Sequence, residues 1–107
     1  MTAHLLIFYP TPKNRVEFDR EYRDKHLPFA RPKFLGATGV ATTRAFGPGV
    51  PPYHLISDVT FPGLAELLVC ALSTEGRQAL AHGASISTGG APLIIATVDD
   101  SNEGIHP

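Results

Sequence analysis

Ala3–Tyr9 reads AHLLIFY, a run that is apolar on both of the faces a period-two strand presents. Such a strand needs cover on both sides. The next segment supplies one cover. Asn14 opens a helix, and Glu17 stands three residues later, the spacing of a capping box with asparagine in place of serine or threonine. Phe18 and Tyr22 share a face, and His26 continues the row about 80° round from Phe18 in uniform α-helical geometry. Asp19 with Arg23, and Glu21 with Lys25, are acid-before-base pairs at i,i+4. Leu27 falls opposite Phe18 on this wheel, and Pro28 disfavours helical backbone at Leu27. The spacing therefore predicts a helix that ends close to His26, with room for one further turn in PFAR (28–31) before Pro32.

The remaining elements follow from composition and turn signals. Ala37–Phe46 (ATGVATTRAF) reads as a second strand, GPGVPP as a loop, and Tyr53–Phe61 (YHLISDVTF) as a third strand antiparallel to the second. Pro62–Leu72 reads as a helix with Leu64, Leu67, Leu68, Ala71 and Leu72 along its buried stripe. Ser73 caps a further helix over Thr74–His82. GASISTGGAP (83–92) reads as loop and Leu93–Val98 (LIIATV) as the last strand. The order βαββαβ predicts an α+β, ferredoxin-like fold: a four-stranded antiparallel sheet with its helices on one face. The other face lacks cover, and a large apolar face in water marks an interface. A homodimer through that open sheet face is the expected remedy. Residues 1–100 are read as a single domain, and 101–107 as a loose polar tail.

Composition narrows the function. The chain has 107 residues, 43% of them hydrophobic, and a net charge of −1, a balance that attracts neither nucleic acid nor an anionic membrane. Seven Lys/Arg between Lys13 and Lys33 are offset by four acids and read as a solvated helix face. No apolar run approaches the ~18 residues of a membrane span. MTAHLLIFYP reads as a strand rather than a signal peptide, so a cytoplasmic location is expected. Cys70, the only cysteine, lies in LLVCAL and reads as a small buried hydrophobe, with a reactive thiol as the alternative.

His26 carries the chemical question. One reading makes it a histidine at a helix end, its charged form favoured by the helix dipole. The other projects it beside Tyr22 into a cavity between helix and sheet, where an imidazole can exchange protons near neutral pH. Tyr9 ends the first strand and is placed to cap the same cavity. Tyr53 and His54 open the third strand; period two sends them to opposite faces, so only one can line a given cavity. Phe18 is a candidate wall of the cavity, and Arg31 is a candidate partner for a carboxylate or phenolate. The five histidines form no H-x-H or H-x-x-x-H pair, so no metal is expected. The glycines of STGGAP match neither G-x-G-x-x-G nor a P-loop, and no G-x-S-x-G is present.

Four stretches together resemble the EthD family, named for ethyl tert-butyl ether degradation: FDREYRDKHLPFAR (18–31), PPYHLISDVTF (51–61), ALSTEGRQAL (71–80) and TGGAPLIIATV (88–98). The H-x-P element His26-Leu27-Pro28 is the most specific of them. The resemblance implies a dimeric α+β barrel, two ferredoxin-like subunits joined sheet to sheet. It also implies a cavity for a small apolar or aromatic molecule, and it carries the family histidine onto His26. Tyr22, Tyr53, His54, Phe18 and Arg31 are added as substrate-binding candidates from position alone. The wider superfamily spans decarboxylation, cyclisation, isomerisation and oxygenation, so the resemblance leaves the reaction open. Cofactor-independent acid/base chemistry at His26 needs no bound group. The alternative is a non-catalytic carrier, or an accessory subunit of a degradation pathway.

Overall fold

The structure, a computed structural model, describes residues 1–100; the expected tail at 101–107 lies outside the described residues. Strand β1 (Ala3–Pro10) leads into α1 (Arg15–Glu21), which continues through a π-helical turn (Tyr22–His26) into α2 (Leu27–Ala30) and a 3-10 turn (Arg31–Lys33). Then come β2 (Gly39–Arg44), β3 (Tyr53–Phe61), α3 (Leu64–Leu72), α4 (Thr74–Ile86) and β4 (Leu93–Val98). The sheet order is β2-β3-β1-β4 with every neighbouring pair antiparallel. This is the ferredoxin-like arrangement, with the two longest strands, β1 and β3, at its centre.

Burial alternates residue by residue along β1 and, from Leu55 onward, along β3. Leu5, Ile7, Tyr9, Leu55, Val59 and Phe61 turn towards the helices and are buried. Each such side chain contributes roughly 1.5–3 kcal/mol when fully buried. Leu6, Phe8, Ile56, Leu93 and Ile95 share the opposite face through the register Phe8↔Ile56, Phe8↔Leu93 and Leu6↔Ile95. That face is the open one, and Leu93 and Ile95 remain exposed on it.

Three details differ from the expectation. The first helix does not end near His26. The Leu27 N–H reaches the Tyr22 carbonyl, five residues back, and helical backbone continues to Lys33. Pro28 has no N–H to give to the carbonyl four residues behind it, and its ring crowds that carbonyl. A wider turn accommodates both problems. It also resets the helix phase. Ala30 lies twelve residues after Phe18, about 120° away in a uniform α-helix. One extra residue in the wide turn removes about 100° of this, so Ala30 returns to the core, where it is fully buried.

The second difference is that α4 runs four residues beyond His82, to Ile86. Gly83 does not stop it, because the glycine is needed for close approach. A Cβ there would stand 2.5 Å from the Tyr9 hydroxyl and 3.3 Å from His26 Cε1. Gly76 serves similarly at the α3–α4 corner, where a Cβ would meet the Cys70 carbonyl. The third concerns α3. Leu67 and Cys70 are buried, whereas Leu64, Leu68 and Leu72 are exposed, so the inward stripe is narrower and rotated from the leucine-rich one expected.

Candidate functional site

The site is built where α1, its wide turn and α4 meet the end of β1. Asn14 accepts the Glu17 N–H at 3.0 Å and starts α1 in register. From that cap Phe18, Tyr22 and His26 stack down one face, with ring centroids 6.1 Å and then 5.4 Å apart. Tyr9 stands across from all three and is fully buried. Its hydroxyl lies 3.4 Å from His26 Nε2. On the other side of the ring, His26 Nδ1 lies 2.9 Å from His82 Nδ1. One nitrogen of that pair carries the proton and donates; the other accepts. Two arrangements satisfy the chain: Tyr9 to His26 to His82, or the reverse.

His26 is only 2% exposed. Burial, with the neighbouring His82 second, holds its pKa down at about 4, so the ring is neutral near pH 7. Burial, with Tyr22 second, pushes the Tyr9 phenol well above its ordinary value. The centre of the site is therefore a neutral, hydrogen-bonded set. His82 is half-buried and carries it outward, packed on Phe29 at 4.7 Å; Lys33 Nζ sits 4.7 Å over the Phe29 ring.

The other candidates separate. Tyr22 turns its hydroxyl towards the sheet, to Ser57 Oγ and to Thr42 Oγ1 at 3.0 Å. Phe18 forms the wall between the Tyr9–His26 cluster and a cleft of ≈ 410 Å³ between α1 and the end of α4. Phe18 and Ile86 give that cleft its apolar lining, and Lys13, Glu17 and Glu21 its charged rim. His54 is on the helix side but at the far flank of α1. Its Nε2 donates to Asp19 Oδ1 at 2.8 Å, and its ring packs edge-on against Phe18. Tyr53 is on the open face with Phe8, 5.5 Å between centroids, because a bulge after Tyr9 pairs it with Pro10. Arg31 is exposed in the 3-10 turn. The structure thus brings together His26, Tyr22 and Phe18, sets His54 against Phe18 on the far flank of α1, away from His26, and keeps Tyr53 and Arg31 apart from them.

His82 is the residue that pattern-reading misses. Spacing along the chain cannot show a pairing between two helices. The usable signal is the small pair Ala79 and Gly83, both buried, on either side of a histidine, which marks a helix approached closely by a neighbour. Among the described residues no three His, Cys, Asp or Glu side chains gather as a metal site. No helix among them is long and apolar enough to cross a membrane.

No family model and no curated protein matches the chain. Solved structures do. An ethyl tert-butyl ether degradation (EthD) family protein from Bacillus halodurans C-125 superposes with TM-score 0.83 at 20% identity, over 94% of this chain and all of that one. The chain has the fold of an EthD-family protein. An EthD-like protein from Ralstonia eutropha JMP134 aligns with TM-score 0.67 at 13% identity, over 94% of this chain and 96% of that one. A dimeric ferredoxin-like protein from Jannaschia sp. CCS1 aligns with TM-score 0.65 at 16% identity, over 92% and 100% of the two chains. The EthD-like fold sets the helices over one sheet face, and the wide turn, Tyr9 and α4 then assemble the histidine pair upon it.

Proposed function

We propose that the protein binds a small apolar or aromatic molecule between α1 and α4, against Phe18, and that displacement of the Phe18 ring brings the molecule to His26, which exchanges a proton with it without a cofactor. The observation that supports this most is the His26 ring itself: a buried, neutral imidazole with a phenol at one nitrogen and a second imidazole at the other. With a pKa near 4 it is a weak base alone. A ligand that develops negative charge beside it would raise its proton affinity when that charge forms. Substrates that become phenolates or enolates have that property, and Tyr9 would steady the oxygen that gains charge.

The reading includes a homodimer through the open face, where Leu6, Phe8, Tyr53, Ile56, Leu93 and Ile95 need cover. The dimeric description of the Jannaschia protein supports it. It also includes a cytoplasmic location, in keeping with a single, free, buried cysteine. A carrier is the second reading, favoured by the fact that both nitrogens of His26 already have partners.

Fluorescence titration with 2-naphthol tests the cleft: saturable binding is expected, and Ile86→Trp should abolish it by filling the space. Deuterium exchange at C2 of 1,3-cyclohexanedione, followed by NMR, tests the chemistry. Exchange lost in His26→Asn with naphthol binding weakened only about fivefold supports proton transfer, the binding change being that of one lost hydrogen bond. Exchange equal in both proteins leaves carriage. Light scattering tests the dimer: Leu6→Glu should yield a monomer, and a monomeric parent protein at micromolar concentration would overturn the assembly.

A further inference from the structure

A second cleft, of ≈ 200 Å³, lies on the opposite flank of α1, between its first turn and the β2–β3 loop. It shares no lining residue with the α1–α4 cleft. Its walls differ in chemistry. Arg15 and Arg44 line it together with the apolar Phe46, Val50 and Pro51. The loop is fastened in place over it. Thr11 donates its hydroxyl to the Pro51 carbonyl at 2.6 Å and its N–H to the Pro52 carbonyl at 3.1 Å, and Ala45 N–H donates to the His54 carbonyl at 3.2 Å.

The cations are not used up by the fold. Asp19 takes Arg44 Nη1 at 2.9 Å and His54 Nε2 at 2.8 Å. That fixes the Arg44 head in position while only Nη1 has a side-chain partner among the described residues. Arg15, exposed at the start of α1, has no ion pair or side-chain hydrogen bond among the described residues. Two guanidinium groups against one carboxylate leave the cleft net positive. A guanidinium offers a planar fork of donors that matches a carboxylate. Phe46 and Val50 are largely exposed, which gives an apolar body somewhere to pack.

We propose that this cleft is a binding site for a small monocarboxylate with an apolar body, its carboxylate held by Arg15 and Arg44 and its body laid against Phe46, Val50 and Pro51. The apolar wall distinguishes it from a site for a bare inorganic anion, which would leave half the cleft without a partner. The site stands independently of the chemistry assigned to His26.

Isothermal titration calorimetry of the purified protein with benzoate, at low ionic strength and pH 7, tests this, with inorganic phosphate and benzyl alcohol as the comparison ligands. Saturable 1:1 binding of benzoate is expected, with phosphate and benzyl alcohol each far weaker. Arg15→Gln should weaken benzoate about tenfold, the effect of losing one charge-assisted hydrogen bond, and Phe46→Ser should weaken it too. Arg15 is exposed, and circular dichroism of the variant checks that the fold is retained. Binding of 2-naphthol should be unaltered by Arg15→Gln, which separates this site from the α1–α4 cleft. The proposal is overturned by the absence of saturable heat with benzoate, by an unchanged affinity in Arg15→Gln, or by phosphate binding as tightly as benzoate.

Discussion

A histidine lies on each side of the sheet, His26 in the helical layer and His4 on the open face, and their surroundings drive the two rings towards opposite charge states. Beneath the helices, His26 has a phenol and another imidazole for company, and burial holds its pKa down at about 4. On the open face, His4 meets two carboxylates, Asp58 at 2.8 Å and Asp99 at 3.0 Å, and hydrogen bonds to Asp58 first and Asp99 second raise its pKa. The residue type is the same; the neighbours decide the proton. The Tyr9–His26 centre beneath the helices is therefore a set of neutral hydrogen bonds, sensitive to shape. The end of the open face is a region of charge pairs, partly exposed and screened by salt.

Four measurements would break or sharpen that contrast. Tyr9→Ala removes a fully buried ring that touches Phe18, Tyr22 and His26. It should cost about 3–5 kcal/mol in urea-induced unfolding, in line with other aromatic truncations in cores; a loss under about 1 kcal/mol would mean that the cluster is not tightly packed. Acid comes next. The folded pKa of His26 lies below its unfolded value of 6.5, so its contribution is complete above pH 6.5, declines as the pH falls towards 4, and levels off below that. The decline should amount to roughly 3 kcal/mol, and the C2 proton of His26 should titrate near pH 4 by NMR while that of His4 titrates above its ordinary value. A His26 midpoint near 6.5 would remove the distinction between the faces.

Gly83→Ala sets two effects against each other. Alanine favours the helix by about 1 kcal/mol, but its Cβ would stand 2.5 Å from the Tyr9 hydroxyl. Overpacking of this kind costs about 1–3 kcal/mol. A net loss of roughly 1 kcal/mol is expected in thermal unfolding, and a net gain would show that Tyr9 yields freely. The smallest effect is expected from His4→Gln, under about 1 kcal/mol for a partly exposed pair. Its sign with pH is opposite to that of His26. The raised folded pKa of His4 gives a contribution present below pH 6.5 and lost as the pH rises through that folded value. The difference between parent and His4→Gln should therefore shrink in alkaline buffer and in high salt.

The element order and the antiparallel sheet were legible because they rest on period and punctuation: AHLLIFY, the proline-rich loop before Tyr53, and the Asn14 and Ser73 caps, whose side chains accept the Glu17 and Gly76 N–H groups. Where local rules failed, a tertiary contact overrode them. Pro28 reads as a stop, but a helix packed along its length can absorb a proline by widening one turn. Gly83 reads as a break, but Tyr9 and His26 need the space it leaves. Leucine is the commonest residue on α3, yet Leu67 and Cys70 are the ones the sheet receives. At the site, the row Phe18–Tyr22–His26 follows from spacing alone. Its partner His82 does not, since it lies 56 residues further on and meets His26 only once α4 has docked.

The wide turn at Tyr22–His26 has a consequence for alignment. A relative whose first helix is uniformly α-helical would match this chain only through a one-residue gap between Tyr22 and Leu27. The gap falls beside the histidine that matters most. A gapless comparison would keep either Phe18 or Ala30 in its equivalent place, never both, and could set His26 against a residue on the wrong side of the relative's helix.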